Sequence, residues 1–415
     1  MAAAEVTPTS SGPRKAAFAF IFITVALDML AIGIIIPVLP KLIERFMAGN
    51  TARAAEFVGL FTTMFAVVQF FMSPVLGALS DRFGRRPVIL LSNLGLGLDY
   101  IMMALAPNLW FLWLGRLIAG ATSASVATAG AYIADTTSPE KRAQAFGMLG
   151  AAFGLGFVIG PAIGGILGGM DLTYPFWAAA AMSLLNFVYG YFVLPESHDV
   201  KNRVPFLWRK ANPLGSLKLL LSNRQLWSFG SAIFLSQLAH TVLPAIFVLY
   251  AGFRYGWGPT DVGWLLAAVG ISSVIVQGGL VKPIVKKLGE RKTAILGLTA
   301  GAVALVVYGI AWESWMVWAG VPIAAFWGLF NATSQAIMSK NVTALEQGKL
   351  QGANTSIMAM ANIIGPALFA FTFAATIDPA LATKLPGTGF WLAGAILFFA
   401  AIVTYLVTRP KQTTT

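Results

Sequence analysis

The sequence contains no cysteine, two histidines and few charges of either sign. Without cysteine there is no disulfide framework, thiolate metal site or cysteine nucleophile, and two histidines leave little for a histidine-rich metal centre. Charged residues make up only 11% of the 415, against ~25% in soluble domains. With 57% hydrophobic residues and a mean hydropathy of +0.76, the chain lacks the polar surface to face water, which points to a membrane protein. No H-E-x-x-H, P-loop or G-x-S-x-G is present, which argues against a membrane-embedded enzyme and against ATP-driven transport by this chain. The net charge of +12 comes from short basic clusters between apolar runs, as in cytoplasmic membrane loops. No nucleic acid, cofactor or metal is expected.

A bilayer core takes about 20 apolar residues per helix. Twelve such runs predict an all-α protein with helices near 16–38, 57–79, 88–106, 108–135, 144–168, 175–194, 225–250, 261–281, 293–311, 315–338, 352–375 and 389–408. Placing both termini inside puts 22 of the 28 lysines and arginines on the cytoplasmic side and 5 outside, with Arg116 within a helix. That bias sets the orientation. The first run is too long for a signal-peptide core and should remain as a helix.

Gly84 in Arg82-Phe83-Gly84-Arg85-Arg86 has a counterpart in Gly289 of Lys287-Leu288-Gly289-Glu290-Arg291, 205 residues on. Gly160-Pro161 and Gly365-Pro366 stand at the same offset. Two motifs at one spacing imply duplicated six-helix bundles. The division is a cytoplasmic tail 1–15, a bundle 16–194, a linker 195–224, a bundle 225–408 and a tail 409–415. Parallel repeats of this kind suit a transporter that rocks two bundles about a midplane site.

Of 16 acidic residues, only Asp28 and Asp99 fall well inside predicted helices, each roughly 18 Å from the cytoplasmic edge at ~1.5 Å per residue. Arg116 enters from the other side. A charge there costs at least ~2.5–3.5 kcal/mol, so it needs a reason. A carboxyl group held out of water retains its proton more readily, a property useful to a proton-coupled carrier. A fixed Asp99–Arg116 ion pair, with Asp28 accepting backbone donors, is the alternative.

Gly77-Ala78-Leu79-Ser80-Asp81-Arg82-Phe83-Gly84-Arg85-Arg86-Pro87 resembles the signature loop of the major facilitator superfamily. Leu27-Asp28 with Gly33, Pro37 and Pro40 resembles the first-helix motif of its twelve-helix drug exporters, and the stretch from Gly154 to Gly165 resembles their fifth-helix antiporter motif. Asp99-Tyr100, Leu114-Gly115-Arg116-Leu117 and Ala134-Asp135-Thr136-Thr137 are similar to the tetracycline/proton antiporters. The resemblance implies the major facilitator fold, proton coupling through Asp28, Asp99 and Arg116, and a gate at Gly77, Asp81, Arg82, Gly84, Arg85 and Arg86 that latches the two halves. It also implies that the fifth helix, through Gly154, Gly156, Gly160, Pro161, Gly164 and Gly165, lines the interface of the halves. Glycines at 156, 160, 164 and 168 strip one helix face and allow close, sliding contact, and Pro161 should kink the helix. Asp81, at the end of the second helix, should cap another helix or pair with Arg82, Arg85 or Arg86.

Tetracycline exporters carry a histidine in the eighth helix and an aspartate in the ninth; here Ser273 and Gly301 occupy those positions. The polar candidates are neutral: Gln69 in the first half, and Gln237, His240, Gln277, Asn331, Gln335, Asn354 and Asn362 in the second. With many aromatics nearby they suit an amphipathic small molecule. The expectation is a drug/proton antiporter, functional as a monomer in the bacterial inner membrane. Its partners are protons, the lipid bilayer and an amphipathic drug, tetracycline or a relative. A nutrient or metabolite importer or facilitator of the same fold is the alternative.

Overall fold

The computed structural model describes residues 12–123, 125–198, 200–205, 219, 224–343, 346–378 and 380–408. Most of the expected tails and of the linker, at 1–11, 206–218, 220–223 and 409–415, lies outside the described residues. Twelve helical regions form two six-helix bundles in an all-α integral membrane protein. The first bundle comprises α1 (Gly12–Ile35, continued as Leu39–Phe46), α2 (Thr51–Phe83), α3 (Arg85–Ala104), α4 (Leu109–Thr122 and Ser125–Thr136), α5 (Pro139–Met170) and α6 (Tyr174–Val193). The second comprises α7 (Arg224–His240 and Val242–Tyr255), α8 (Pro259–Ile275 with a π turn Val276–Leu280), α9 (Val281–Ile310), α10 (Ser314–Ala325 and Gly328–Ser339), α11 (Gln347–Thr376) and α12 (Thr388–Val407).

Local chemistry starts the helices. Asn50 Oδ1 accepts from Arg53 N at 3.0 Å ahead of α2, and Asn108 Oδ1 accepts from Phe111 N at 3.2 Å ahead of α4; each satisfies an orphan first-turn donor. Where single helices were expected, four are interrupted. Pro37 and Pro40 withhold the amides that Gly33 and Ile36 carbonyls would need, and α1 breaks over residues 36–38. Pro244 does the same to His240, and α7 breaks at Thr241. In α10, tight i to i−3 bonds from Phe326, Trp327, Leu329 and Phe330 replace the α pattern. The expected loop 282–292 is also corrected: it is helical, turned only at Gly289, whose φ is +76.

These interruptions repeat. Ile36 and Thr241 are 205 residues apart, as are Ser123, in the break of α4, and Gly328, which restarts α10. Gly84 and Gly289 both have positive φ, +108 and +76. Each half therefore carries discontinuous helices at matching places, and one uninterrupted helix, α5 or α11, packs its Gly-Pro step on a broken neighbour. Gly160 lies against Gly33 of α1, and Gly365 against Thr241 of α7.

The halves meet through α5 with α8 and through α2 with α11. Thr260 Oγ1 donates to the Gly165 carbonyl at 3.0 Å, and Thr63 Oγ1 to the Ile363 carbonyl at 3.0 Å. Both bonds lie in the parts of the helices away from the linker. Towards the linker, the polar side chains of Gln277, Asn331, Gln335, Gln351 and Asn362 are exposed. The halves thus enclose a cleft that opens on the linker side.

Candidate functional site

The midplane charges fall into two groups within the first bundle. Arg116 Nη2 of α4 donates to Asp99 Oδ2 of α3 at 2.5 Å, and Asp99 is fully buried. The guanidinium also reaches Met103 Sδ at 3.5 Å and lies over the Phe65 ring of α2, 5.4 Å from its centroid. Asp99 Oδ1 has no hydrogen-bond partner among the described residues. Room for it comes from Gly115, where a Cβ would sit 2.6 Å from that oxygen. The glycine preceding the arginine thus makes the space in which the acid and base meet.

One partner of Asp28, not weighed in the sequence, comes from another helix. Asn186 of α6 donates through Nδ2 to Asp28 Oδ1 at 3.3 Å and to the Thr24 carbonyl at 3.2 Å, while its Oδ1 accepts from Thr24 Oγ1 at 3.1 Å. All three side chains are buried. Sequence reasoning missed Asn186, although a lone amide in an apolar helix that must face the bundle interior was the available signal.

The signature loop builds a second cluster on the linker side. Gly84, at φ +108, separates α2 from α3 and has no side chain to cap the new helix. The missing acceptor is supplied from the linker: Glu196 accepts from Arg85 N at 2.8 Å and Arg86 N at 3.3 Å. Asp81 instead accepts from Arg85 Nη1 at 2.5 Å, and Arg85 Nε donates to Asp135 at 3.0 Å. Arg82 lies over the Phe83 ring, and Arg86 donates to the Tyr191 carbonyl at 2.5 Å. These partners belong to the first bundle and the linker. Among the described residues, the hydrogen bonds and ion pairs of the cluster turn inward on Arg85 and do not reach the second half. Glu196 was not foreseen, though a helix starting after glycine needs an acceptor from elsewhere. Gly77 has no neighbour close to where a Cβ would be.

The antiporter-motif helix presents two glycine rows to two partners. Gly156, Gly160 and Gly164 lie against Met29, Gly33 and Ile34 of α1, in the same half. Gly165 and the Pro161 carbonyl face the other half: a Cβ on Gly263 of α8 would be 2.5 Å from that carbonyl and 2.8 Å from Gly165 Cα. The helix thus borders both its own half and the other: the stripe 156–160–164 packs on α1, while Gly165, and Gly168 beside Pro259, meet α8. Gly154 touches neither, and α5 runs through Pro161 without interruption.

In the second half the breaks of α7 and α10 meet. His240 packs edge-on against Trp327, with centroids 5.3 Å apart, and Trp327 Nε1 donates to Ser236 Oγ at 2.9 Å. Gln277, in the π turn of α8, covers Gly328 at the restart of α10. Gln237 donates to Asn362 at 3.2 Å, and Gln351 to Gln335 at 3.3 Å. Asn331 is exposed on the same helix as Gln335. Gln69 donates to Ser123 at 2.9 Å, beside the break of α4. Asn354 is buried, with no hydrogen-bond partner for its amide among the described residues. Gly301, where the resemblance expects an aspartate, faces the Trp327 ring, and a Cβ there would be 2.8 Å from it. The indole fills the place of the missing acid.

A transporter-like pair of bundles with this loop has a known pattern. The sequence pattern of the Major Facilitator Superfamily matches residues 21–366 and, in a second match, 229–415. The chain belongs to the major facilitator superfamily. Among relatives of this major facilitator protein, the class C tetracycline resistance protein of Escherichia coli is 38% identical over 379 residues, covering 91% of this chain and 93% of its own. The class E protein of Escherichia coli is 37% identical over 393 residues, 94% of each chain. The human organic anion transporter MFSD10 (TETRAN) shares the fold, with a TM-score of 0.70 at 22% identity over 95% of this chain and 100% of that one.

Proposed function

We propose that this major facilitator protein is a proton-coupled exporter, exchanging inward-moving protons for tetracycline or a related amphipathic drug by alternating access. The observation that carries the reading is the Asp99–Arg116 pair: a fully buried carboxylate whose second oxygen has no hydrogen-bond partner among the described residues. Breaking and remaking that pair as Asp99 takes up and loses a proton would bias the two arrangements of the bundles. Asp28, tied to α6 through Asn186, is the second proton-coupling carboxyl group. A charge crossing with the membrane potential supplies ~2.3 kcal/mol per 100 mV. The relatives named as tetracycline resistance proteins support the drug class, and membership of a transporter superfamily speaks against an enzyme.

The excess of lysine and arginine on the linker side supports cytoplasmic termini, in a bacterial inner membrane. The substrate would meet His240, Trp327, Gln277, Asn331 and Asn362 across the cleft from Gln69. Because no acid stands at 301, the second half would recognise the drug through aromatic and amide contacts. Asp81, 46% exposed, would find a partner in the opposite half when the linker side closes, which is the gate. Nothing in the reading requires a second copy of the chain.

The test is proton release from energised inverted vesicles on adding tetracycline, unrelated amphipathic drugs or small metabolites. Exchange predicts release with the drug. Uptake of a metabolite with protons, and no drug-dependent release, would establish the importer reading instead.

A further inference from the structure

A groove of about 600 Å³ lies at the end of the second bundle away from the linker, between α8 and the start of α10. Its walls include Trp257, Trp264, Trp318, Asp261, Ser314 and Ile271. It is built entirely from the second bundle, on a different face of α8 from the one that meets α5 at Thr260 and Gly263. Asp261 is the only charged residue among the lining residues.

Five of the twelve tryptophans, at 257, 264, 312, 315 and 318, fall in this part of the chain, and indoles collect where hydrocarbon gives way to water. Trp257 and Trp318 stand 6.5 Å apart between centroids, tilted by 54°. Indole faces attract a cation, and the single carboxylate adds charge of the right sign. Asp261 Oδ2 already accepts from Gly258 N at 2.9 Å, so the groove's acceptors are the rest of that carboxylate and the Ser314 hydroxyl. Both favour a cation that carries N–H donors over a quaternary one. Below the groove, the same flank of α8 continues as exposed Ile271 and Ile275, an apolar track for an acyl chain.

We propose that this groove binds the primary ammonium headgroup of an ethanolamine phospholipid, with an acyl chain lying along α8. The site stands apart from the cleft and from the buried charges of the first bundle. Holding a lipid between α8 and α10, it would steady the helix whose other face slides on α5.

The test uses the purified full-length chain in detergent, with ethanolamine, choline and glycerol phospholipids of identical acyl chains, and native mass spectrometry of the adducts. Ethanolamine lipid should be retained preferentially. Losing one cation–π contact in Trp264→Ala should cut the preference over the glycerol lipid about fivefold. Asp261→Asn, which keeps an oxygen for the Gly258 amide, should cut it as well. Equal retention of the three lipids, or a preference unchanged in both variants, overturns the proposal. So does displacement of the lipid by free ethanolamine at equal concentration, which would show that the acyl track contributes nothing.

Discussion

Asn186 of α6 holds Asp28 of α1 by a 3.3 Å hydrogen bond while its own carbonyl oxygen is fixed by Thr24. The amide therefore cannot rotate to follow the carboxylate without giving up Thr24, and Asp28 is tied to the relative position of two helices.

Replacing Asn186 by alanine removes one donor to Asp28 and should cost about 1 kcal/mol of stability. The pH midpoint of drug-driven proton release in vesicles should move, while the Asp99–Arg116 pair stays in place. An unmoved profile at equal expression would mean that the amide only packs.

Asp99→Asn strands the Arg116 charge near the midplane, and breaking a buried pair on one side costs about 3–5 kcal/mol. Thermal unfolding in detergent should show a large loss for Asp99→Asn and a smaller one for the double variant with Arg116→Gln. Neither should exchange protons for drug. Full coupling in the double variant would remove the pair from the mechanism.

Gly165 and Gly263 bring α5 and α8 into backbone contact across the halves. Valine at either position should wedge that seal open and raise passive proton entry into proteoliposomes, while Gly154→Ala, which meets no neighbour, should leave it unchanged. Equal leak in all three would show that this contact is not the barrier.

Gly84→Ala places a Cβ against the Glu196 carboxylate at φ +108, and the strain should cost more than about 1 kcal/mol. Glu196→Ala should loosen the same junction by removing the helix cap, at about 1 kcal/mol. Protease sensitivity of the linker should rise in both; a linker as resistant as wild type would refute its anchoring to α3.

Gly301→Asp restores the residue that the resemblance expects, but its side chain would enter the Trp327 ring. Expression should fall for the single variant and recover when Trp327→Leu is added. Recovery accompanied by altered discrimination among tetracyclines would locate the drug beside α9 and α10.

The twelve apolar runs, the repeat at 205 and the placement of Asp28, Asp99 and Arg116 within helices were legible because each is a local or periodic signal. A charge in an apolar run declares itself whatever surrounds it. Asn186 and Glu196 were harder: their roles exist only once α6 lies against α1 and the linker folds back over α3. The glycine rows of α5 show the same limit. Spacing reveals a bare face, but which neighbour occupies it depends on helix rotation, and rows 156–160–164 and 161–165 have different neighbours. The break at Thr241 was available in principle from Pro244.

The junction of α5 with α8 is almost without side chains where Pro161, Gly165 and Gly263 meet, and one hydroxyl bond from Thr260 spans it. Few side chains interlock at that point, so on the proposed alternating-access cycle one surface would pass the other there with few rotamers to untangle. Temperature should then govern that bearing less than the making and breaking of buried charge.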